Sequence, residues 1–126
     1  KPEEIVRKYL FSQGFRYRKN VRKLPGCPDI VLAKYKTVIF VNGCFWHKHD
    51  CPWFVWPSSN QEYWEPKIVR NVERDKQNSA LLEEAGWNII VVWECELKKM
   101  VREQTLEGLS EQIRNNIVKD TTEGIS

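Results

Sequence analysis

Apolar residues recur at helical spacing near both ends of the chain. Between residues 3 and 12 they fall on one helical face, and Gly14 provides a stop signal. A second periodic segment predicts a helix over residues 104–118, with an apolar face of Leu106, Leu109, Ile113 and Ile117. The polar residues 120–126 that follow are expected to form a frayed tail.

The middle of the chain has the pattern of β-strands. Residues 29–33 and 37–41 are apolar, rich in β-branched side chains and separated by a short polar link, which predicts an antiparallel hairpin. Residues 87–93 form a nearly continuous apolar run, which is typical of a strand in the interior of a sheet.

A long helix is predicted between the hairpin and that third strand. Ser59 and Glu62 have the spacing of a capping box, so the helix begins near Asn60 or, alternatively, at Pro66, and Gly86 ends it. Its expected buried stripe consists of Val69, Val72 and Leu82. Together these elements predict an α/β domain with a small mixed sheet.

Length and composition agree with one soluble domain over residues 1–126. No apolar run approaches the length of a membrane span, and the first residues lack a signal-peptide pattern. We therefore expect a cytoplasmic location and no membrane partner. Four cysteines in such a chain favour metal binding over disulfides, because the cytosol keeps thiols reduced.

Residues 42–51 concentrate the groups that bind metals. Cys44, His47, His49 and Cys51 offer the sulfur and nitrogen ligands that tetrahedral zinc prefers. Cys95, at the end of the predicted third strand, would complete a Cys₃His site. The spacing does not decide which of the two histidines belongs to that site and which is free for chemistry.

Asp29 opens the hairpin and should lie beside this stretch. Such an aspartate is commonly a turn or cap residue, but a carboxylate here could also bind magnesium next to a histidine that accepts a proton. On the residues alone, Glu3 is better explained by its favourable place in the first turn of a helix than by a catalytic role. Two basic runs, at residues 16–23 and 67–76, are compatible with phosphate binding.

Several motifs resemble those of the very-short-patch-repair (Vsr-type) DNA mismatch endonucleases. The resemblance extends from about Glu3 to Leu97, and its most specific part is the Gly-Cys-Phe-Trp-His-x-His-x-Cys sequence at residues 43–51. The other matching segments are Leu-Pro-Gly-x-Pro-Asp at 24–29, Val-Ile-Phe at 38–40, Tyr-Trp at 63–64, Lys-Ile at 67–68, Asn-Val-Glu-Arg-Asp at 71–75, Gly-Trp at 86–87 and Val-Trp-Glu-Cys at 92–95.

The resemblance implies a restriction-endonuclease-like fold and a defined reaction. The expected reaction is magnesium-dependent nicking of one strand of duplex DNA, 5′ of the thymine in a T:G mismatch left by deamination of 5-methylcytosine. It further implies a bacterial protein that works as a monomer on nucleoid DNA, with general mismatch-repair proteins as further partners.

The resemblance also assigns roles by position. Asp29 and the backbone carbonyl of Val41 match the magnesium ligands, His47 matches the catalytic base, and Glu3 matches an active-site glutamate. The expected structural zinc ligands are Cys44, His49, Cys51 and Cys95. The expected DNA contacts are the wedge residues Phe45, Trp46 and Trp64, together with Lys67 and Asn71, which lie four apart on one helical face.

Two features depart from the family pattern. Asn42 stands where the best-known members have a histidine at the phosphate, and asparagine can donate a hydrogen bond but cannot act as an acid near neutral pH. The family's additional amino-terminal DNA-binding segment is not present in this sequence. Two other functions remain open: a non-catalytic zinc-stapled DNA-binding module, and a zinc hydrolase with an open coordination position.

Overall fold

The computed structural model describes residues 2–44, 47, 49, 51 and 59–125, with side chains up to residue 116. Helix α1 spans Pro2–Ser12 and is followed by the short strand β1 at Arg18–Lys19. The remaining elements, in chain order, are β2 (Ile30–Leu32), β3 (Thr37–Asn42), α2 (Gln61–Glu84), β4 (Asn88–Trp93) and α3 (Arg102–Ile125).

The four strands form one mixed sheet in the order β1-β2-β3-β4. β2 and β3 are the predicted antiparallel hairpin, with Val31 opposite Val38, and a 3₁₀ turn at Ala33–Tyr35 joins them. β4 runs parallel to β3, so α2 is the crossover between two parallel strands. This arrangement confirms the predicted α/β class and its mixed sheet.

Side chains alternate between two cores on the faces of the sheet. Ile39 and Ile90 point to the side covered by α1 and α3, whereas Val31 and Val38 pack under Leu82 of α2. The sheet is therefore sandwiched between α1 with α3 on one face and α2 on the other. Leu106, Leu109 and Ile113 of α3 are buried, as predicted.

The amino-terminal half of α2 differs from the prediction in two respects. Ser59 does not cap the helix, because the N-cap is Asn60 in a left-handed conformation with no capping bond from its side chain. The helix also passes through Pro66 without a second start. The predicted stripe is wrong at Val69, which is 42% exposed, while the neighbouring Ile68 is fully buried.

The third predicted strand is present but not in the sheet interior. Among the described residues β4 pairs only with β3, so it lies at an edge, and Val91 is 37% exposed. Helix α3 continues past the predicted end and remains helical from Asp120, where fraying is expected, to Ile125. No described helix has the length and apolar character that crossing a bilayer requires.

Candidate active site and metal cluster

A cleft of about 260 Å³ opens where α2 crosses the ends of the central strands. The loop before β2 contributes Asp29, and the last residues of β3 contribute Val41 and Asn42. His47 lies at its edge, and α2 supplies the opposite wall with Asp75, Asn78 and Ser79. The structure thus brings three predicted catalytic residues, Asp29, Asn42 and His47, into one cavity.

The Asp29 carboxylate is held by the backbone of the neighbouring strand. Its Oδ2 atom accepts a hydrogen bond from the Val41 N–H at 2.7 Å. Burial raises the pKa of Asp29 above its ordinary value of 3.8, the Val41 hydrogen bond opposes that rise, and the Glu3 carboxylate adds to it. Arg7 and His47 act in the opposite direction with smaller effects. Glu3, on α1, is therefore close enough to Asp29 to influence its charge.

His47 is oriented by a carboxylate that the sequence analysis gave no role. Its Nδ1 atom lies 2.5 Å from Oδ2 of Asp75, and the two side chains are 25% and 41% exposed. When the ring is neutral and carries its proton on Nδ1, the Nδ1–H donates a hydrogen bond to Asp75. Nε2 is then the basic nitrogen. The Asp75 carboxylate also stabilises the imidazolium that forms when Nε2 accepts a proton. A histidine with such a partner is suited to general base catalysis.

Asp75 could have been found by its place on the helix. It lies seven residues before the buried Leu82 and seven after the buried Ile68, so it is on the side of α2 that faces the sheet. A carboxylate on the inward face of a helix requires a partner. The prediction missed it because the chain does not show which loop residue reaches that face.

One glycine fixes how closely the cleft's loop approaches α2. Gly26 has a φ of +77°, and a Cβ atom there would lie 3.1 Å from both the Asn78 side chain and the Phe40 ring. Only glycine adopts this conformation readily and leaves room for the helix. Gly26 therefore sets the position of the segment that leads into Asp29.

A second group of side chains lies next to the cleft. The ligand atoms of Cys44, His49, Cys51 and Cys95 all lie within 4.8 Å of one another. Zn–S bonds of about 2.3 Å place the corners of a tetrahedron about 3.8 Å apart, so a small contraction fits these four groups to zinc. His47 is not among them. The described geometry therefore separates the two histidines that the spacing left interchangeable.

Local backbone bonds shape this cluster. The His49 N–H donates to the Cys44 carbonyl at 3.0 Å, and the Cys51 N–H donates to the His49 carbonyl at 2.9 Å. Cys95 lies in a 3₁₀ turn at Glu94–Leu97, just past the strand end where it was expected. The Glu96 carboxylate accepts the Trp93 N–H at 2.9 Å and so fixes the start of that turn.

The electrostatics of the cluster favour a bound cation. Burial raises the pKa of the Cys44 thiol, and burial together with the nearby Cys44 and Cys51 sulfurs raises the pKa of Cys95 to about 12. Cys44 and Cys95 therefore ionise less readily than a free thiol. A metal ion that binds them as thiolates removes this penalty, which is the donor chemistry of a closed structural site.

The predicted DNA contacts lie partly within the described residues. Trp64 packs edge-on against Tyr63 with ring centroids 5.0 Å apart, and the Lys67 Nζ atom lies 4.7 Å from the Tyr63 ring centroid. These residues and Asn71 occupy the amino-terminal half of α2. Phe45 and Trp46 lie outside the described residues.

Comparison with known proteins agrees with this site. A family model described as DNA mismatch endonuclease Vsr matches residues 1–53. The type II nicking enzyme V.NmeAIP of Neisseria meningitidis is 52% identical over 118 residues, which cover 93% of this chain and 84% of that protein. The DNA mismatch endonuclease Vsr of Escherichia coli is 42% identical over 114 residues, covering 88% and 73%. The chain belongs to the Vsr family of DNA mismatch endonucleases.

Membership of the Vsr family confirms the resemblance seen in the motifs and the expected restriction-endonuclease-like fold. It also agrees with a DNA endonuclease activity. Vsr relatives include further nicking enzymes, such as V.XorIIP of Xanthomonas oryzae, which is 46% identical over 100 residues covering 79% of this chain and 74% of that protein. The matched regions include the cleft and the four-residue cluster, so both belong to the part that this chain shares with its relatives.

Proposed function

We propose that this Vsr-family protein nicks one strand of duplex DNA 5′ of the thymine in a T:G mismatch, by magnesium-dependent hydrolysis with His47 as the general base. The observation that carries this proposal is the His47–Asp75 pair facing Asp29 in one cleft, apart from the Cys/His cluster. The cleft offers a candidate base in His47 and a candidate cation-binding carboxylate in Asp29, and the chain belongs to a family of DNA endonucleases.

The donor set of the cleft suits a hard cation. Asp29 is half-buried, and its pKa is raised by burial and by the Glu3 carboxylate. Neighbouring groups therefore do not fully stabilise the ionised form of Asp29. Magnesium is held by one or two carboxylates and retains several waters. Asp29 and the Val41 carbonyl would hold it, since the N–H and C=O of one strand residue point to the same side. When bound, the ion would stabilise charge on the phosphate oxygens.

The chain's own groups account for the proton transfer. His47 Nε2 accepts a proton from the attacking water while Asp75 retains the hydrogen bond to Nδ1. The oxygen of that water forms a bond to phosphorus, the bond to the leaving sugar oxygen breaks, and that oxygen takes a proton from solvent water. Asn42, at the mouth of the cleft, can donate a hydrogen bond to a phosphate oxygen but cannot supply the proton for the leaving group.

The cluster fits a separate, structural role. Cys44, His49, Cys51 and Cys95 supply four ligands, so a bound zinc would have no open position for water. This counts against the zinc-hydrolase alternative. The His47–Asp75 pair in turn gives the protein catalytic equipment that a pure DNA-binding module would not need.

Strand-resolved nicking of matched and mismatched duplexes tests the proposal. We expect cleavage of the thymine strand of a T:G duplex with magnesium, and none of a T:A duplex or without magnesium. Asp29→Ala should abolish nicking and keep the fold and the zinc. Equal nicking of the matched duplex would refute the mismatch assignment.

Trp46 is proposed to act as a wedge beside the mismatch, with Phe45 and Trp64. Trp46→Ala should weaken discrimination for the T:G duplex more than it weakens affinity for DNA in general. A wedge unstacks the weaker T:G pair at a lower cost than a matched pair, so its loss mainly affects the mismatched duplex. Binding to matched and mismatched duplexes, measured side by side, separates these effects. A uniform loss on both duplexes would contradict the assignment.

A further inference from the structure

An open, positively charged groove lies beside the catalytic cleft. Arg22 and Lys23, from the loop before β2, and Arg74, from α2, surround a floor that includes Leu24 and Leu81. We refer to Arg22, Lys23 and Arg74 as the basic shelf. All three side chains are exposed. Within the part of the chain that the structure describes, none of them forms an ion pair, so their charges are not already neutralised.

The basic shelf is continuous with the cleft. Gly26, Cys27 and Asn78 line both cavities, and Asn78 reaches over Gly26 at the boundary between them. On α2, Arg74 immediately precedes Asp75, so adjacent residues face the shelf and His47 respectively. The two cavities therefore adjoin, so a polymer bound in the cleft can extend onto the shelf.

The shelf also continues a polar flank along α2. Lys67, Arg70, Arg74 and Asn78 follow spacings of three and four residues, which places them on one side of the helix. This flank leads from Trp64 and Lys67 at the amino-terminal half of α2 to the shelf. Lys76 is about 200° around the helix from Arg74 and lies on another side.

The cleft itself carries charges that repel DNA. Asp29 and Asp75 line it, and Glu3 is near enough to raise the pKa of Asp29. When magnesium is absent, a phosphodiester entering this cleft meets like charge, so attraction comes from neighbouring cationic side chains. Unpaired Arg and Lys side chains provide it by displacing counterions from the phosphates.

We propose that the basic shelf binds the sugar-phosphate backbone of the strand being cut, at the phosphates that immediately adjoin the scissile phosphate on one side. This inference rests on the proposed function, because it takes the Asp29–His47 cleft as the place where the strand is cut. The contacts are to phosphate, so they position the strand and contribute equally on every sequence.

The salt dependence of DNA binding tests the charge contribution. In magnesium-free buffer, where the duplex stays intact, log Kd is measured against log salt concentration for T:G and T:A duplexes. The slope should fall by about 1 for Arg74→Gln and by about 2 for the Arg22→Gln, Lys23→Gln double variant, on both duplexes. Arg74→Lys and Lys76→Gln are the controls and should keep the wild-type slope. Unchanged slopes in the shelf variants would overturn the proposal.

Single neutral phosphates locate the contact. Methylphosphonates placed one at a time around the nick position should weaken wild-type binding at the phosphates next to the scissile one. In a variant with Arg22, Lys23 and Arg74 all changed to Gln, the same duplexes should bind as well as the unmodified duplex. Equal sensitivity in wild type and variant would overturn the proposal. Failure of the proposed function is distinguishable, since it appears as equal affinity for T:G and T:A duplexes while the slopes still change.

Discussion

The cleft and the Cys/His cluster are neighbours built from the same short segment, yet they suit opposite tasks. His47 and His49 are two residues apart, and both lie near Trp93: the His49 ring stacks on it at 4.0 Å, whereas the His47 ring meets it edge-on at 6.3 Å. His49 lies 3.5 Å from the Cys95 sulfur, and His47 is bonded to a carboxylate on α2. The partner of each histidine, rather than its place in the motif, determines its chemistry.

The two regions also differ in the groups whose pKa values are raised: thiols in the cluster and a carboxylate in the cleft. In the cluster, burial and the neighbouring sulfurs raise the pKa of Cys95, and a cation bound there would favour the thiolate form. In the cleft, burial raises the pKa of Asp29, whereas the Asp75 carboxylate is hydrogen-bonded to His47 and orients its ring. Changes in the cluster should therefore affect folding first, and changes in the cleft should affect catalysis first.

The largest expected effect is loss of the metal from the cluster. Cys44→Ser removes a buried member of the proposed zinc site. If zinc is held there, we expect it to be lost and the free energy of unfolding to fall by about 4 kcal/mol or more, as is typical when a structural metal is lost. Zinc content and denaturant unfolding measure this. Cys27→Ser is the matched control, because Cys27 is exposed and lies outside the cluster. A Cys44→Ser protein that keeps zinc and stability would place the cluster's role in doubt.

A smaller effect is expected from the residue that positions the catalytic base. Asp75→Asn should lower kcat by about 10–100-fold with little change in KM, because His47 loses the acceptor that fixes its tautomer. Steady-state nicking over a range of duplex concentrations gives kcat and KM, and single-turnover nicking at saturating enzyme isolates the cleavage step. Glu73→Gln, two residues away on the same helix and exposed, should retain wild-type activity. A change in KM alone would assign Asp75 to substrate binding instead.

The smallest expected effect is a gain in stability within the cleft. Because the folded-state pKa of Asp29 lies above its ordinary value, the folded protein binds the proton more tightly than the unfolded chain does. Stability from this group is therefore present at acid pH and is lost as pH rises through the folded pKa. Without magnesium, Asp29→Asn should raise Tm at neutral pH, and the difference should shrink as the pH approaches 4. A lower Tm at neutral pH would contradict this.

The secondary-structure elements could be predicted from the sequence more accurately than the packing contacts between them. The hairpin and α1 were predictable because β-branched runs and apolar periodicity are local signals. The burial of Ile68 rather than Val69 was not predictable, since it depends on how α2 is rotated against the sheet. The predicted capping box does not form: Asn60, in a left-handed conformation, is the N-cap and makes no side-chain capping bond, and the helix begins one residue later than expected.

The same contrast holds for the candidate site. Asp29 and the four cluster residues were predictable because a strand start and dense Cys/His spacing carry chemical information in the chain. Asp75 was given no role, and the basic runs that contain Arg22, Lys23 and Arg74 were not placed beside the cleft, because the packing of α2 against the loop at residues 22–27 brings these residues together. Long-range packing of this kind has no local sequence signal.

If the two neighbouring histidines have separate roles, replacing each of them should remove a different property of the protein. Zinc per chain and single-turnover nicking of a T:G duplex are measured for His47→Ala and His49→Ala. We predict that His47→Ala keeps the zinc and the wild-type Tm while nicking falls by about 10²–10⁴-fold, and that His49→Ala loses the zinc and much of its stability. Loss of zinc from His47→Ala with zinc retained in His49→Ala would contradict the account.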